Sequence, residues 1–170
     1  MSVIKHKAQR VTVLLDVQNL YHSAKNLYNA RVNFKEVLRT AIAGRELVRA
    51  IAYVIRTESG DEKPFLEALN KIGIETKLKD LQIFPGGMKK ADWDVGMAMD
   101  GVRFSESYLN AIVLATGDGD FIPLVEYLKG KGIQVEVMAF ARSTSQRLQE
   151  AAEDFIDLGS DPKKFLMRIR

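Results

Sequence analysis

The stretch Asn110-Ala-Ile-Val-Leu-Ala-Thr-Gly-Asp-Gly-Asp-Phe-Ile-Pro-Leu124 limits this chain's choice of fold more than any other. Ile112, Val113 and Leu114 form an uncharged, β-prone run of the kind that lies inside a parallel sheet, covered on both faces. Thr116, Gly117, Asp118, Gly119 and Asp120 then make a tight polar loop. Over residues 121–129 the apolar spacing becomes helical, and Pro123 is tolerated in the first turn, where its missing N–H is not needed. The expected order is strand, loop, helix, with two carboxylates outside the carboxyl end of a strand, where open α/β sheets bind their ligands. One Asp would suffice to cap the helix. Two of them flanking a glycine, with Thr116 alongside, point to a polar site.

The pattern occurs once before. An apolar run over 11–15 ends in Asp16, with Asn19 at the head of a helical segment in which Tyr21, Ala24, Leu27 and Tyr28 take core spacing. If that strand neighbours 111–115, Asp16 meets Asp118. Asn33 to Glu36 reads as a capping box for a helix ending near Gly44. Residues 47–55 are the next strand, with Arg56 at its exit, and Pro64 and Gly73 bracket a helix. Residues 74–84 read as one strand or a broken pair, with Lys77 and Lys79 facing one way. Residues 85–90, Pro-Gly-Gly-Met-Lys-Lys, read as a flexible loop suited to a nucleic-acid backbone.

Residues 91–104 are helical in composition. At about 100° per residue, Asp92 and Asp94 would point to nearly opposite faces and Asp94 and Asp100 about 120° apart, so the three cannot share one site. Spacing leaves Asp92 and Asp94 as alternatives, and places Trp93, Met97 and Phe104 in the core. Ile133, Val135 and Val137 alternate with Gln134 and Glu136 as an edge strand. Residues 141–145 cap a helix, with Arg142 available to phosphate. Residues 155–158 read as a short last strand or packed segment, and Asp161-Pro162 opens a basic terminal helix or tail over 161–170. With a basic leader over 1–10, this leaves one domain over 11–160. The alternation of strand and helix predicts an α/β fold: a mainly parallel sheet with helices on both faces and right-handed crossovers.

Composition narrows the chemistry. With no Cys and two His in 170 residues, any metal must be held by oxygen. No apolar run reaches the roughly 20 residues of a membrane span, and 1–10 lacks the apolar core of a signal peptide, so a cytoplasmic protein is expected. A net charge of +3 and a pI of about 9.1 suit a polyanionic partner. Carboxylates gathered at strand ends repel one another unless a divalent cation neutralises them, and Mg²⁺ or Mn²⁺ fits an all-oxygen site. Such an ion activates water and stabilises a leaving oxygen, so the leading expectation is phosphodiester hydrolysis in nucleic acid. Asp16, Asp94 and Asp118 are the expected metal ligands, Asp120 a further ligand or water-orienting group, and Asn19 a hydrogen-bonding support.

Four segments also carry a family likeness: Leu15-Asp-Val-Gln-Asn-Leu20, Lys90-Ala-Asp-Trp-Asp-Val95 with Asp100, Ala115-Thr-Gly-Asp-Gly-Asp-Phe-Ile-Pro-Leu124 and Gly132-Ile-Gln-Val-Glu-Val137. As an ordered set over roughly 12–158 they resemble NYN domains of the bacterial LabA-like group, in the PIN-like nuclease superfamily. The resemblance implies a three-layer α/β/α sandwich and an acidic, Mg²⁺-dependent ribonuclease site. It aligns Asp16 and Asn19 with the first motif, selects Asp94 over Asp92 in the second, and aligns Asp118 and Asp120 with the third. Thr116 keeps the hydroxyl of the family's common serine, whereas Val17-Gln18 replaces a Gly-Glu pair and removes one acid. The expected substrate is single-stranded RNA, with Lys89, Lys90, Arg56, Lys77 and Arg142 as candidate contacts, and a homodimer is a candidate assembly.

Two other enzyme classes fit less well. A haloacid-dehalogenase-type phosphatase needs an Asp two residues after its nucleophile, where Gln18 stands, and a dinucleotide fingerprint needs glycine where Ile122 stands. The rival from a different class is a non-catalytic RNA-binding or regulatory interaction domain that retains the acidic site. Basic residues at 77, 79, 89 and 90 would serve it equally.

Overall fold

The computed structural model describes residues 3–57 and 59–169, without the side chains of Lys89 and Lys90. In chain order the elements are β1 (Arg10–Asp16), α1 (Val17–Tyr28), β2 (Ala30–Val32), α2 (Phe34–Ile42), β3 (Glu46–Arg56), α3 (Lys63–Lys71), β4 (Glu75–Asp80), β5 (Gln82–Ile83), β6 (Lys89–Lys90), α4 (Asp94–Phe104), β7 (Ala111–Ala115), α5 (Ile122–Gly130), β8 (Gln134–Ala139), α6 (Gln146–Ala151), β9 (Asp154–Asp157), α7 (Pro162–Phe165) and β10 (Leu166–Arg168).

Both alternating sides of the central strands are apolar, so the sheet must be covered twice. On β1, Val11, Val13 and Leu15 face a core built with α1, α2, α3 and α7, while Leu14 faces a second core built with α4, α5 and α6. On β7, Ala111, Val113 and Ala115 join the first core, and Ile112 and Leu114 the second. The result is a three-layer α/β/α sandwich around a six-stranded, wholly parallel sheet in the order β4-β3-β1-β7-β8-β9. From β1 the chain works outward through β3 to β4, returns by α4, and then works outward the other way from β7 to β9. The order reverses between β1 and β7. At such a reversal the connections leave toward opposite faces, and a crevice opens at the carboxyl ends of the two strands. Among the described residues no helix is long and apolar enough to cross a membrane.

Three segments differ from the expectation. β8 is not an edge strand, because it lies between β7 and β9. Its Glu136 is fully buried and accepts two hydrogen bonds from the Arg45 guanidinium, at 2.8 and 2.9 Å. Arg45 also donates to the carbonyls of Ala41 and Ile42 at the end of α2, and Lys5 reaches Glu136 and Asp154 at 3.5 and 3.1 Å. The strand's polar alternation thus faces an ion pair, not solvent. Residues 85–90 are not an open loop: β5 and β6 pair antiparallel across a turn in which Gly86 and Gly87 take φ of 94° and 86°. The terminal helix is a single turn, α7, whose Phe165 enters the first core, and the chain then continues as β10, antiparallel to β2.

Removing one partner of a buried ion pair strands the other, so Glu136→Ala is expected to cost about 3–5 kcal/mol in urea unfolding followed by circular dichroism. Glu75→Ala, which breaks the exposed pair with Arg49 at 2.9 Å, is expected to cost under about 1 kcal/mol. Equal losses at the two sites would show that the Arg45 network does not brace the sheet.

Candidate functional site

β1 and β7 run side by side as far as the pairing of Leu15 with Ala115, and side chains continue the connection beyond it. Asp16 caps α1, its Oδ1 accepting the Asn19 N–H at 3.3 Å. Its Oδ2 accepts the hydroxyl of buried Thr116 at 2.8 Å. Asn19 Oδ1 accepts the N–H of Gly117 at 2.8 Å, so the two strand exits are tied twice. Thr116 Oγ1 then accepts the Asp118 N–H at 3.2 Å, and Asp118 Oδ1 accepts the Asp120 N–H at 2.9 Å, opening a 3₁₀ turn ahead of α5. A Cβ on Gly117 would stand 2.6 Å from Thr144 Oγ1, so glycine is what lets the 141–145 loop pack against this exit.

Asp94 arrives from the other face at the first turn of α4, its N–H donating to Asp92 Oδ1 at 3.1 Å. Asp94, Asp118 and Asp120 each present a carboxylate oxygen within 4.8 Å of the others. Asp16, Asp92, Asp94 and Asp118 line one cleft of about 430 Å³, with the polar face of α1 opposite: Asn19, His22, Ser23 and Asn26. The Asp94 carboxyl is pushed up to about 7, first by burial, then by the charge of Asp118 and a hydrogen bond with it, then by Asp92 and Asp16. Burial also raises Asp16, as do the charges of Asp118 and Asp92, against the lowering effect of its bonds from Thr116 and Asn19. A cluster in this state holds a proton or a cation. Its donors are carboxylate oxygens, and two lone-pair positions of Asp16 remain after the bonds from Thr116 and Asn19. That donor set fits a hard divalent cation.

The structure therefore brings Asp16, Asp94 and Asp118 to one cleft, with Asp120 exposed at its margin. Asp92 joins them, which spacing on a helix had disallowed. The helix starts only at Asp94, and Asp92 lies in the non-helical approach to it. Lys79 steadies that approach, donating to the Asp92 carbonyl at 2.9 Å with its ammonium 4.7 Å from the Trp93 ring centroid. His22 and Ser23 were not singled out by motif, although polar residues at 19, 22, 23 and 26 after Asp16 trace one face of α1. Tyr21, expected in the core, is 44% exposed.

The basic residues are more dispersed. Lys77 donates to Asp100 Oδ2 at 2.6 Å, and Tyr53 and Arg103 bond the same carboxylate at 2.7 Å each. Burial would raise the Asp100 carboxyl, but these partners outweigh it and hold it below the usual range. Lys77 and Asp100 thus form a brace between β4 and α4. Arg56 pairs with Asp80 at 2.7 Å. Arg142, exposed, lies 5.9 Å from the Tyr28 ring and next to Ser143, which lines the acidic cleft. The side chains of Lys89 and Lys90 lie outside the described residues.

Residues 10–159 match the sequence model of the NYN domain. The chain belongs to the NYN domain family. Every cleft residue named above falls inside that match. This NYN domain is 25% identical over 175 residues to the Low amplitude and bright protein LabA of Synechococcus elongatus, covering 94% of this chain and 89% of that protein. It also superposes on the crystal structure of a protein of unknown function from Vibrio parahaemolyticus with a TM-score of 0.85 and 30% identity, covering 97% of this chain and 100% of that one. The fold is thus shared with an experimentally solved relative, and it is consistent with the PIN-like architecture of NYN domains.

The elevated Asp94 carboxyl is expected to make folding depend on pH. Its folded pKa of about 7 lies above the ordinary 3.8, so between those values the folded protein binds more protons than the unfolded chain. This contribution to stability is therefore present at low pH and is lost as pH rises through the window. In EDTA, thermal melts from pH 4 to 8 are expected to show Asp94→Asn gaining on the parent protein as pH rises, and, in separate melts without EDTA, Mn²⁺ is expected to raise the melting temperature of the parent more than that of the variant. Parallel pH profiles for the two proteins would show that Asp94 is not strained by its neighbours.

Proposed function

We propose that this NYN domain is a Mg²⁺- or Mn²⁺-dependent ribonuclease that hydrolyses phosphodiester bonds in single-stranded RNA, in a cytoplasmic setting. The observation that carries the proposal is the approach of Asp94, Asp118 and Asp120 to within 4.8 Å of one another beside Asp16. A bound divalent cation supplies an acidified water and charge compensation at the leaving oxygen. Asp16, Asp94 and Asp118 are the residues that would hold it, each on the rigid start of a helical segment. Asp120, exposed at the margin and within 4.8 Å of Asp94 and Asp118, would serve as a further ligand or orient the attacking water. Thr116 and Asn19 act as positioning residues, fixing Asp16 and the Gly117 backbone relative to each other. Arg142, next to Ser143 of the cleft wall, is the basic residue proposed to meet the RNA backbone.

One feature favours the rival binding domain: Gln18 lines the cleft where the family commonly has an acid. Cleavage decides between them. The purified chain is expected to cut end-labelled single-stranded RNA with Mn²⁺ or Mg²⁺ and to stop on EDTA addition. Asp118→Asn is expected to lower the rate by more than the roughly 10–100-fold that loss of an outer-sphere partner costs. RNA binding by the parent protein without cleavage under any divalent ion would refute the enzyme and favour the binding domain.

Thr116 gives a graded test. Thr116→Ser keeps the hydroxyl and is expected to retain activity, whereas Thr116→Val is expected to lose about 10–100-fold with the fold intact by circular dichroism. Equal rates for the two variants would remove Thr116 from the positioning role.

A further inference from the structure

Beside the acidic cleft lies a second one of about 600 Å³, and Gln18 and His22 line both. Its character is different. Val17, Tyr21, Phe34, Phe65, Leu81 and Met167 make its walls mainly apolar, and Tyr21 and Met167 stand 44% and 41% exposed there. The size falls in the roughly 300–1,000 Å³ range of ligand pockets, which combine apolar and aromatic walls with a few polar groups. The charged groups here are Arg31, Asp61 and Glu62. Glu62 Oε1 accepts both the N–H and the hydroxyl of Thr57, which fixes the carboxylate at the cleft.

We propose that this second cleft seats a nucleobase of the RNA strand whose phosphodiester lies in the acidic cleft, with Tyr21 as the stacking surface. The proposal rests on the reading of the acidic cleft as an RNA site and names how that site engages a base. Three features point this way. Gln18 and His22, one turn apart on α1, form the ridge the two clefts share, so one strand laid across that ridge can reach both. The acidic cleft offers carboxylates and polar side chains but little to stack on, whereas proteins that take single-stranded RNA draw affinity from bases laid on aromatic rings. Charge selects the occupant: Asp61 and Glu62 repel phosphate but accept amino and imino N–H groups from a base edge, and Arg31 suits a flanking phosphate. A wholly apolar protein segment would leave both carboxylates facing a surface with no donor. Adenine, cytosine and guanine carry an exocyclic amino group for them, whereas uracil offers only its N3–H, held between two carbonyl oxygens that the carboxylates repel, so the pocket should discriminate against uracil.

The test uses the full chain, ¹⁵N-labelled and in EDTA, titrated with each of the four nucleoside monophosphates and followed by NMR. Saturable shifts are expected at the amides of Tyr21, Phe34 and Phe65, weakest for the uridine nucleotide. Tyr21 is exposed, so its variants should fold. Tyr21→Ala and Tyr21→Leu are expected to weaken binding about tenfold, with Leu no better than Ala because stacking, not bulk, is lost. Absence of shifts at those amides, or binding unchanged in both variants, overturns the proposal. So does tighter binding of an uncharged aliphatic peptide than of any nucleotide. Because no metal is present, the outcome is independent of cleavage. Nucleotide binding without ribonuclease activity would remove the enzyme and leave the base seat, whereas cleavage with KM unchanged in Tyr21→Leu and no nucleotide shifts would do the reverse.

Discussion

The bonds from Thr116 to Asp16 and from Gly117 to Asn19 are what the rest of the site depends on. β1 and β7 are the neighbours at which the sheet reverses direction, so the chains leaving them part toward opposite faces. Backbone pairing between them stops at Leu15 and Ala115. Beyond that point the two exits would be free to splay, and with them Asp16 and Asp118. Two short polar side chains extend the connection by another residue on each side, at 2.8 Å in both cases. One of these bonds also occupies a carboxylate that lines the acidic cleft, so geometry and charge are set by the same atoms.

The acids of the cleft repel one another, and the fold offsets this locally. Asp16 caps α1, Asp94 begins α4 and Asp118 opens the turn before α5. Asp16 and Asp118 each accept a backbone N–H there, and all three carboxylates stand at the amino end of a helical segment, where negative charge is favoured. At the amino end of the sheet the balance is different. Glu136 is compensated by Arg45 and Lys5, and Asp154 by Lys5. Charges there are matched within the chain, while Asp16, Asp94 and Asp118 have no cationic side chain paired with them among the described residues.

Much of this was legible in the sequence because the central strands carry it locally. Residues 111–115 and 11–15 read as buried strands, and the polar residues directly after them are the ones the cleft uses. Asn33 could be read as a cap, and it does accept the Glu36 N–H at 3.4 Å. What could not be read depended on partners far along the chain or on where a helix begins. Glu136 looked solvent-facing because Arg45 is 91 residues away. Asp92 and Asp94 read as alternatives because a helix from residue 91, three residues ahead of its real start, turns neighbours into opposites, and the family likeness then favours Asp94. Lys77 read as a free cation because nothing near it in sequence announces Asp100. Tyr21 read as core because helical spacing gives a face but not what covers it.

The pairing of β10 with β2 reaches beyond stability. Met167 on β10 and Arg31 on β2 are register partners and also border the apolar cleft. The last strand is thus part of that cleft's wall, so the cleft keeps its shape only while β10 stays paired with β2, and a substitution that frays this two-stranded ribbon would widen the cleft without touching the acidic one.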